Sequence, residues 1–278
     1  MADRLGLIAG NRDFPLHVAR AAKALGVDVV AIAIHGETSQ ELTPLVSAIH
    51  WIHLGQVGRL LEILRREGLT QVLLAGQVHP SRVTQQLAHM DGEGLALMAR
   101  AATQQGRDLL TVFAEFLNER GITLLDSSAY LKAWVPSPGV LTRRAPTADE
   151  RAAIDFGLDR ARQLAALGIG QTLVIKGKAV AAVEAMEGTD ATIRRAGQVA
   201  GPGSVVVKLP ESRHDHRFDI PVVGVTTIEA MVEAGATALG VAAGTTLLMD
   251  RPHAMALADR HGVAVVALDV LTGSVREA

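Results

Sequence analysis

Cysteine is absent from the 278 residues, which excludes disulfides, thiolate zinc sites, iron–sulfur clusters and a cysteine nucleophile together. Any metal must rest on oxygen or imidazole. An excess of basic charge is missing too. With 29 acidic residues against 27 Lys and Arg the formal charge is -2, so no broad cationic surface awaits a polyanion and nucleic acid is not expected as a partner. No run approaches the ~20 apolar residues that span a bilayer, since charge or glycine breaks every long one. A membrane contact is therefore expected only as a peripheral one. The first ten residues, MADRLGLIAG, put Asp3 and Arg4 before an apolar stretch too short for a signal-peptide core, and the expectation is a cytoplasmic protein.

What is present is a globular composition, 49% hydrophobic and 20% charged, in a chain long enough for two cores. Short apolar runs alternate with segments of helical period. Leu5 to Ala9 predicts a buried strand, Pro15 to Leu25 a helix, and Val29 to Ile34 a second strand. Val57, Leu60, Leu61 and Leu64 mark a helix, and Val72 to Ala75 a third strand. Phe113, Phe116 and Leu117 then anchor a helix before a strand at Ile122 to Leu125. The repetition predicts a Rossmann-like, parallel sheet.

The proline-rich stretch VPSPGVLTRRAP from Val135 to Pro146 suits an exposed connector. It divides an N-terminal domain (1–134) and a linker (135–147) from a C-terminal domain (148–278). There, a helix at Asp149 to Leu167 precedes Gln171 to Lys176 and Ala179 to Met186, which flank Gly177 as a hairpin. Helices at Thr189 to Ala200, Thr227 to Ala234 and Pro252 to His261 alternate with strands at Ser204 to Lys208, Ala238 to Val241, Thr246 to Met249 and Val263 to Leu268. The fold expected is α/β throughout: two α/β domains, the first with a parallel sheet, the second with a mixed one.

Two turns follow strands where ligands of open α/β sheets bind, Gly10–Asn11 and Gly76–Gln77. Each serves equally well as a plain tight turn. Between Glu184 and Asp219 stand Glu184, Glu187, Asp190, Glu211, Asp215 and Asp219, hard oxygen donors suited to a divalent cation or to a solvated rim. Thr189 opens a helix and is placed to cap it. In HDHRFDIPVVG, Phe218 and Ile220 alternate as in a strand, which would set Arg217 and Asp219 on one face, Arg217 to clamp a phosphate and Asp219 to bind metal or orient water. There is no Walker A sequence, no G-x-G-x-x-G, no G-x-S-x-G elbow, no Nudix-type helix and no paired-metal pattern of the calcineurin-like hydrolases.

LGLIAG at Leu5 to Gly10, LLAGQV at Leu73 to Val78, IGQTLVIK at Ile169 to Lys176, VEAMEGTDATIRRAG at Val183 to Gly197 and RFDIPVVG at Arg217 to Gly224 resemble the LpxI-type UDP-2,3-diacylglucosamine pyrophosphatases. The resemblance implies two domains with substrate held in the cleft between them. It also implies Mg²⁺- or Mn²⁺-dependent attack of water on the α-phosphorus, giving UMP and 2,3-diacylglucosamine 1-phosphate in lipid A biosynthesis.

On that reading Asp219 and Arg217 are catalytic, Glu187, Asp190 and Asp219 hold metal, and Gly10, Asn11, Gly76, Gln77, Thr189, Lys208 and Arg213 contact substrate. The partner is an acylated UDP-glucosamine, met at the inner face of the inner membrane, and a homo-oligomer is compatible with it. Two departures stand out. Glu211–Ser212–Arg213–His214–Asp215 replaces a usual Lys-Pro-x-Gln-Asp, and Ala242 replaces a usual Glu. A non-catalytic UDP-sugar or glycolipid binder descended from that family is the alternative. A dinucleotide oxidoreductase is the third reading, weakened by the missing glycine fingerprint.

Overall fold

The computed structural model describes residues 3–78, 87–103, 109–210, 217–218 and 220–269. The chain forms two compact units: of the described residues, the first holds those up to Leu131 together with Arg217 and Phe218, and the second holds the rest.

The first unit runs β1 (Arg4–Ala9), α1 (Phe14–Ala24), β2 (Asp28–Ile34), β3 (Ala48–Ile52), α2 (Val57–Arg66), β4 (Gln71–Ala75), α3 (Gly92–Thr103), α4 (Leu109–Asn118) and β5 (Thr123–Leu124). Its sheet is parallel in the order β3-β2-β1-β4-β5. Ile8, Val30, Ile32 and Val72 pack with residues of α2, α3 and α4, while the alternate residues Leu5 and Leu7, also buried, point to the other face. β3 went unanticipated because AIHWI has no continuous apolar run, and only its Ile52 is buried. The strand order reverses between β1 and β4, and the expected ligand edge lies just beyond their carboxyl ends.

The second unit runs β6 (Gly139–Val140), α5 (Ala148–Leu167), β7 (Thr172–Lys176), β8 (Ala179–Val183), α6 (Thr189–Ala200), β9 (Val205–Lys208), β10 (Val222–Val223), α7 (Val225–Ala234), β11 (Ala238–Ala242), β12 (Leu247–Leu248), α8 (Arg251–Arg260) and β13 (Ala264–Leu268). Its mixed sheet has the order β6-β13-β11-β9-β7-β8. Both faces are apolar in strict alternation. Val205, Val207, Ala264 and Val266 meet α5, whereas Val206, Val265 and Ala267 meet α6, α7 and α8. The hairpin at Gly177 forms as expected, β8 antiparallel to β7. α5 starts with a capping box, Thr147 and Glu150 each bonding the other's backbone N–H.

Three expectations are corrected. The 135–147 stretch is not a bare connector. Gly139–Val140 adds an antiparallel edge strand to β13, Thr142 Oγ1 accepts from the Val265 N–H at 2.9 Å, and Arg144 grips Glu150 through both guanidinium nitrogens. Arg217 and Phe218 form a turn, not a strand; the next strand begins only at Val222. Finally, Leu247–Leu248 pairs with Val222–Val223 in a separate two-stranded ladder and does not join the main sheet. Among the described residues no helix is long and apolar enough to cross a membrane.

Candidate functional site

In the second unit β7 runs opposite to β9, with Thr172 beside Lys208 in register. The start of β7, the ends of β8 and β9 and the start of α6 therefore meet at one sheet edge. Lys208 closes β9 and is only 5% exposed, and its Nζ donates to Thr189 Oγ1 at 2.6 Å. Thr189 in turn donates to Glu184 Oε1 at 2.9 Å, and Thr172 Oγ1 lies 3.4 Å from the same hydroxyl. Glu184 is held at the end of β8 by its N–H on the Thr172 carbonyl. Among the described residues the second carboxylate oxygen of Glu184 is buried with no hydrogen-bond partner, a costly arrangement for an acceptor and a mark of an unfinished polar site.

Thr189 is not the helix cap its position suggests. Gly188, at φ 83°, takes the N-cap place, and no side chain caps the first turn. The Thr189 hydroxyl is turned instead to the Lys208–Glu184 pair. α7 likewise starts from a glycine, Gly224, without a side-chain cap, and its Thr227 donates to Asp190 Oδ1 at 3.2 Å. The starts of α6 and α7 and the Lys208 ammonium thus share this edge with the carboxylates Glu184 and Asp190, setting donors for an anionic oxygen beside acidic acceptors. Glu184 was visible in the sequence as a carboxylate ending an apolar strand just before EGTD. Thr172 and Thr227 carried no signal.

Of the expected metal set, Glu187 and Asp190 lie among the described residues. Asp190 sits in the first turn of α6 beside Thr227. Glu187 is bound by Arg195 and by the Ala185 N–H; its own backbone N–H first, then Arg195, pull its carboxyl down to about 2. Among the described residues no three His, Asp or Glu side chains converge as a metal group. Asp219 and Arg213, with Glu211, lie outside the described residues. Ala242 is fully buried in the α5-facing core.

In the first unit the two turns meet each other. Gly10 N–H donates to the Ala75 carbonyl at 2.8 Å and Asn11 N–H to the Gln77 carbonyl at 2.7 Å, an antiparallel bridge across the carboxyl ends of β1 and β4. A Cβ on Gly10 would stand 2.4 Å from the Gln77 carbonyl oxygen, and one on Gly76, at φ 84°, would stand 2.4 Å from that of Asn11. Their glycine character thus follows from loop against loop. Asn11 Nδ2 donates to Glu37 Oε2 at 2.7 Å, while Asn11 Oδ1 is buried without a hydrogen-bond partner. The Arg217 carbonyl accepts from Ser127 Oγ at 2.9 Å, its guanidinium carbon lies 5.1 Å from the Phe218 ring centre, and Phe218 packs on the core formed with α2 to α4.

Residues 4–134 match the LpxI N-terminal domain and residues 137–266 the LpxI C-terminal domain. The chain belongs to the LpxI family. It is 31% identical over 278 residues to the UDP-2,3-diacylglucosamine pyrophosphatase LpxI of Caulobacter vibrioides, an alignment covering 96% of this chain and 98% of that one. Two solved structures resemble it distantly. The biotin carboxylase domain of Hydrogenobacter thermophilus 2-oxoglutarate carboxylase matches at 17% identity and a TM-score of 0.28, over 64% of this LpxI-family chain and 36% of that one. Glycinamide-RNase-transformylase T of Mycobacterium tuberculosis matches at 16% and 0.26, over 66% and 44%. Likenesses at these scores carry no argument for this LpxI-family chain.

Proposed function

We propose that this chain is a UDP-2,3-diacylglucosamine diphosphatase of lipid A biosynthesis, releasing UMP and 2,3-diacylglucosamine 1-phosphate at the cytoplasmic face of the inner membrane. The observation that supports it, beside family membership, is the Lys208–Thr189–Glu184 chain at the start of α6. A buried ammonium held by a hydroxyl whose proton is committed to a carboxylate is fixed before substrate arrives. Such preorganised charge stabilises negative charge that grows on phosphoryl oxygens during displacement. Water oxygen bonds to the α-phosphorus, the bond from that phosphorus to the bridging oxygen breaks, and the bridging oxygen leaves with the sugar 1-phosphate. Asp219, at the family's essential position, is assigned the water proton, and Arg217 a phosphate oxygen. A requirement for Mg²⁺ or Mn²⁺ is proposed on the family resemblance and not on the described carboxylates.

The test is incubation of the full chain with UDP-2,3-diacylglucosamine in H₂¹⁸O, with Mg²⁺, Mn²⁺ or EDTA. The expected result is UMP carrying the label, with EDTA abolishing turnover. Label in the sugar phosphate would refute attack at the α-phosphorus, and full turnover in EDTA would remove the metal. Tight binding without UMP would favour a non-catalytic binder.

A further inference from the structure

Phe, Tyr and Trp make up only 3% of this chain, yet four flat rings gather at the carboxyl edge of the first sheet. Trp51 lies in β3, His35 directly follows β2 and His53 directly follows β3, while His89 closes a short 3-10 turn, Leu87–His89. Trp51 and His35 have ring centres 5.4 Å apart and tilted by 33°, His35 and His53 4.6 Å apart and tilted by 32°, and His53 and His89 3.9 Å apart and stacked at 15°. The rings form a column that ends, among the described residues, on the exposed imidazole of His89. Among the described residues these histidines form no metal group. His53 is held below the usual histidine range, first by burial and then by His89 and His35, so the middle ring tends to stay neutral and stack as an uncharged ring.

His89 does not reach the column by accident of a loose loop. Two residues on, Asp91 accepts from the Gly94 N–H at 2.9 Å, in its own helix start, and from the Arg59 N–H at 3.2 Å, in the first turn of α2. Burial alone would raise the Asp91 carboxyl, but the N–H groups of Gly94, Gly58, Arg59 and Val57 hold it below its ordinary value. α2 begins a few residues after His53, so one carboxylate ties the segment bearing His89 to the segment bearing His53. α3 and the α2 approach touch so closely that a Cβ on Gly94 would stand 2.1 Å from the Gly55 carbonyl oxygen. A surface histidine needs none of this to be solvated.

We propose that His89 is the stacking platform for the heterocycle of the nucleotide, the base continuing the column beyond the last imidazole. The proposal rests on the reading of the substrate as a nucleoside diphosphate sugar. Sheets of this kind take ligands at the carboxyl edge, where the rings stand beyond β2 and β3, on the β2 side of the reversal between β1 and β4, and an aromatic face holds any base without a hydrogen-bond code.

The experiment is calorimetric titration of the full chain, and of His89→Ala and His89→Phe, with UMP and with ribose 5-phosphate. The parent is expected to bind UMP, His89→Ala to bind it about tenfold more weakly, and His89→Phe to recover most of the loss. Ribose 5-phosphate, which has no base, is expected to bind all three alike. His89→Ala binding UMP within twofold of the parent would overturn the platform while leaving the nucleotide reading intact. Equal weakening for ribose 5-phosphate would also overturn it, assigning the contact to the sugar phosphate. A parent that binds no UMP, and releases none from UDP-2,3-diacylglucosamine, would overturn the nucleotide reading itself and the platform with it.

Discussion

Lys208 Nζ donates to Thr189 Oγ1 across 2.6 Å, joining two positions 19 residues apart in the chain. The first ends a buried strand and the second begins a helix whose own first turn no side chain caps. The bond is what turns a strand-end lysine and a helix-start threonine into one unit of fixed charge.

Removing the hydroxyl tests that unit. Thr189→Val keeps the shape of the side chain but removes the hydroxyl that joins the Lys208 ammonium to Glu184, and loss of a buried hydrogen bond to charged groups costs about 1–3 kcal/mol. UMP release is expected to fall on the order of 10²-fold, with a lower melting temperature, and Thr189→Ser is expected to restore most of both. Equal activity in the valine variant would show that the bond is incidental.

Glu184→Gln keeps the shape and one acceptor oxygen but replaces the carboxylate that accepts from Thr189 with an amide. Turnover is expected to drop on the order of tenfold or more, and the double variant with Thr189→Val to lose less than the product of the two single losses, as residues in one network do. Kinetics of all four proteins supply the cycle, and simple multiplicativity would separate Glu184 from the network.

The contact between the two turns of the first unit gives a stability prediction. Gly76→Ala combines a left-handed backbone, φ 84°, with a Cβ 2.4 Å from the Asn11 carbonyl oxygen, and Gly10→Ala meets the Gln77 carbonyl at the same distance. Each is expected to destabilise by about 2–4 kcal/mol. Gly26→Ala has a similar φ, 79°, with open space around it, and is expected to cost about 1 kcal/mol. Denaturant unfolding of the three variants would refute the close-approach account if Gly10→Ala proved as mild as Gly26→Ala.

Acid should weaken the second unit through Glu150. Burial would raise its carboxyl, but the Arg144 guanidinium, the Thr147 N–H and Thr237 bring it from 4.5 down to about 2. A carboxylate with a lowered value stabilises the fold above its unfolded value and loses that contribution as pH falls from about 4.5 through about 2. At pH 7 the contribution is at most about 3 kcal/mol, from the size of the shift. Glu150→Gln is therefore expected to be clearly less stable than the parent at pH 7 and nearly as stable at pH 2.5. Unfolding curves at the two pH values decide it, and a gap that persists in acid would mean the loss lies in packing.

Alternation and period made the strands and helices legible before any coordinates, because a residue's immediate neighbours decide whether its side chain meets one apolar face or two. The fully apolar runs at Leu5, Val29, Val205 and Val263 had to be strands buried on both sides, and Gly177 between two such runs had to be a hairpin. The sequence motifs likewise carried the family. β3 escaped because four of its five residues are only half-buried, which leaves no apolar signature. The 135–147 stretch misled for a different reason. Prolines exclude a regular ladder there but say nothing about side-chain bonds, and Arg144 reaches Glu150, the Thr237 carbonyl and the Gly262 carbonyl.

Only the tertiary structure decided which distant residues share an edge. The register of β7 against β9 brings Thr172 and Lys208 together, α6 adds Thr189, and the end of β8 adds Glu184. In the same way it turned Thr189 from a helix cap into a bridge, placed Glu187 on Arg195, and stacked His53 on His89. Periodicity assigns a residue to a face; it does not say which strand will lie beside it, since strand order is settled by packing and chain closure over the whole sheet.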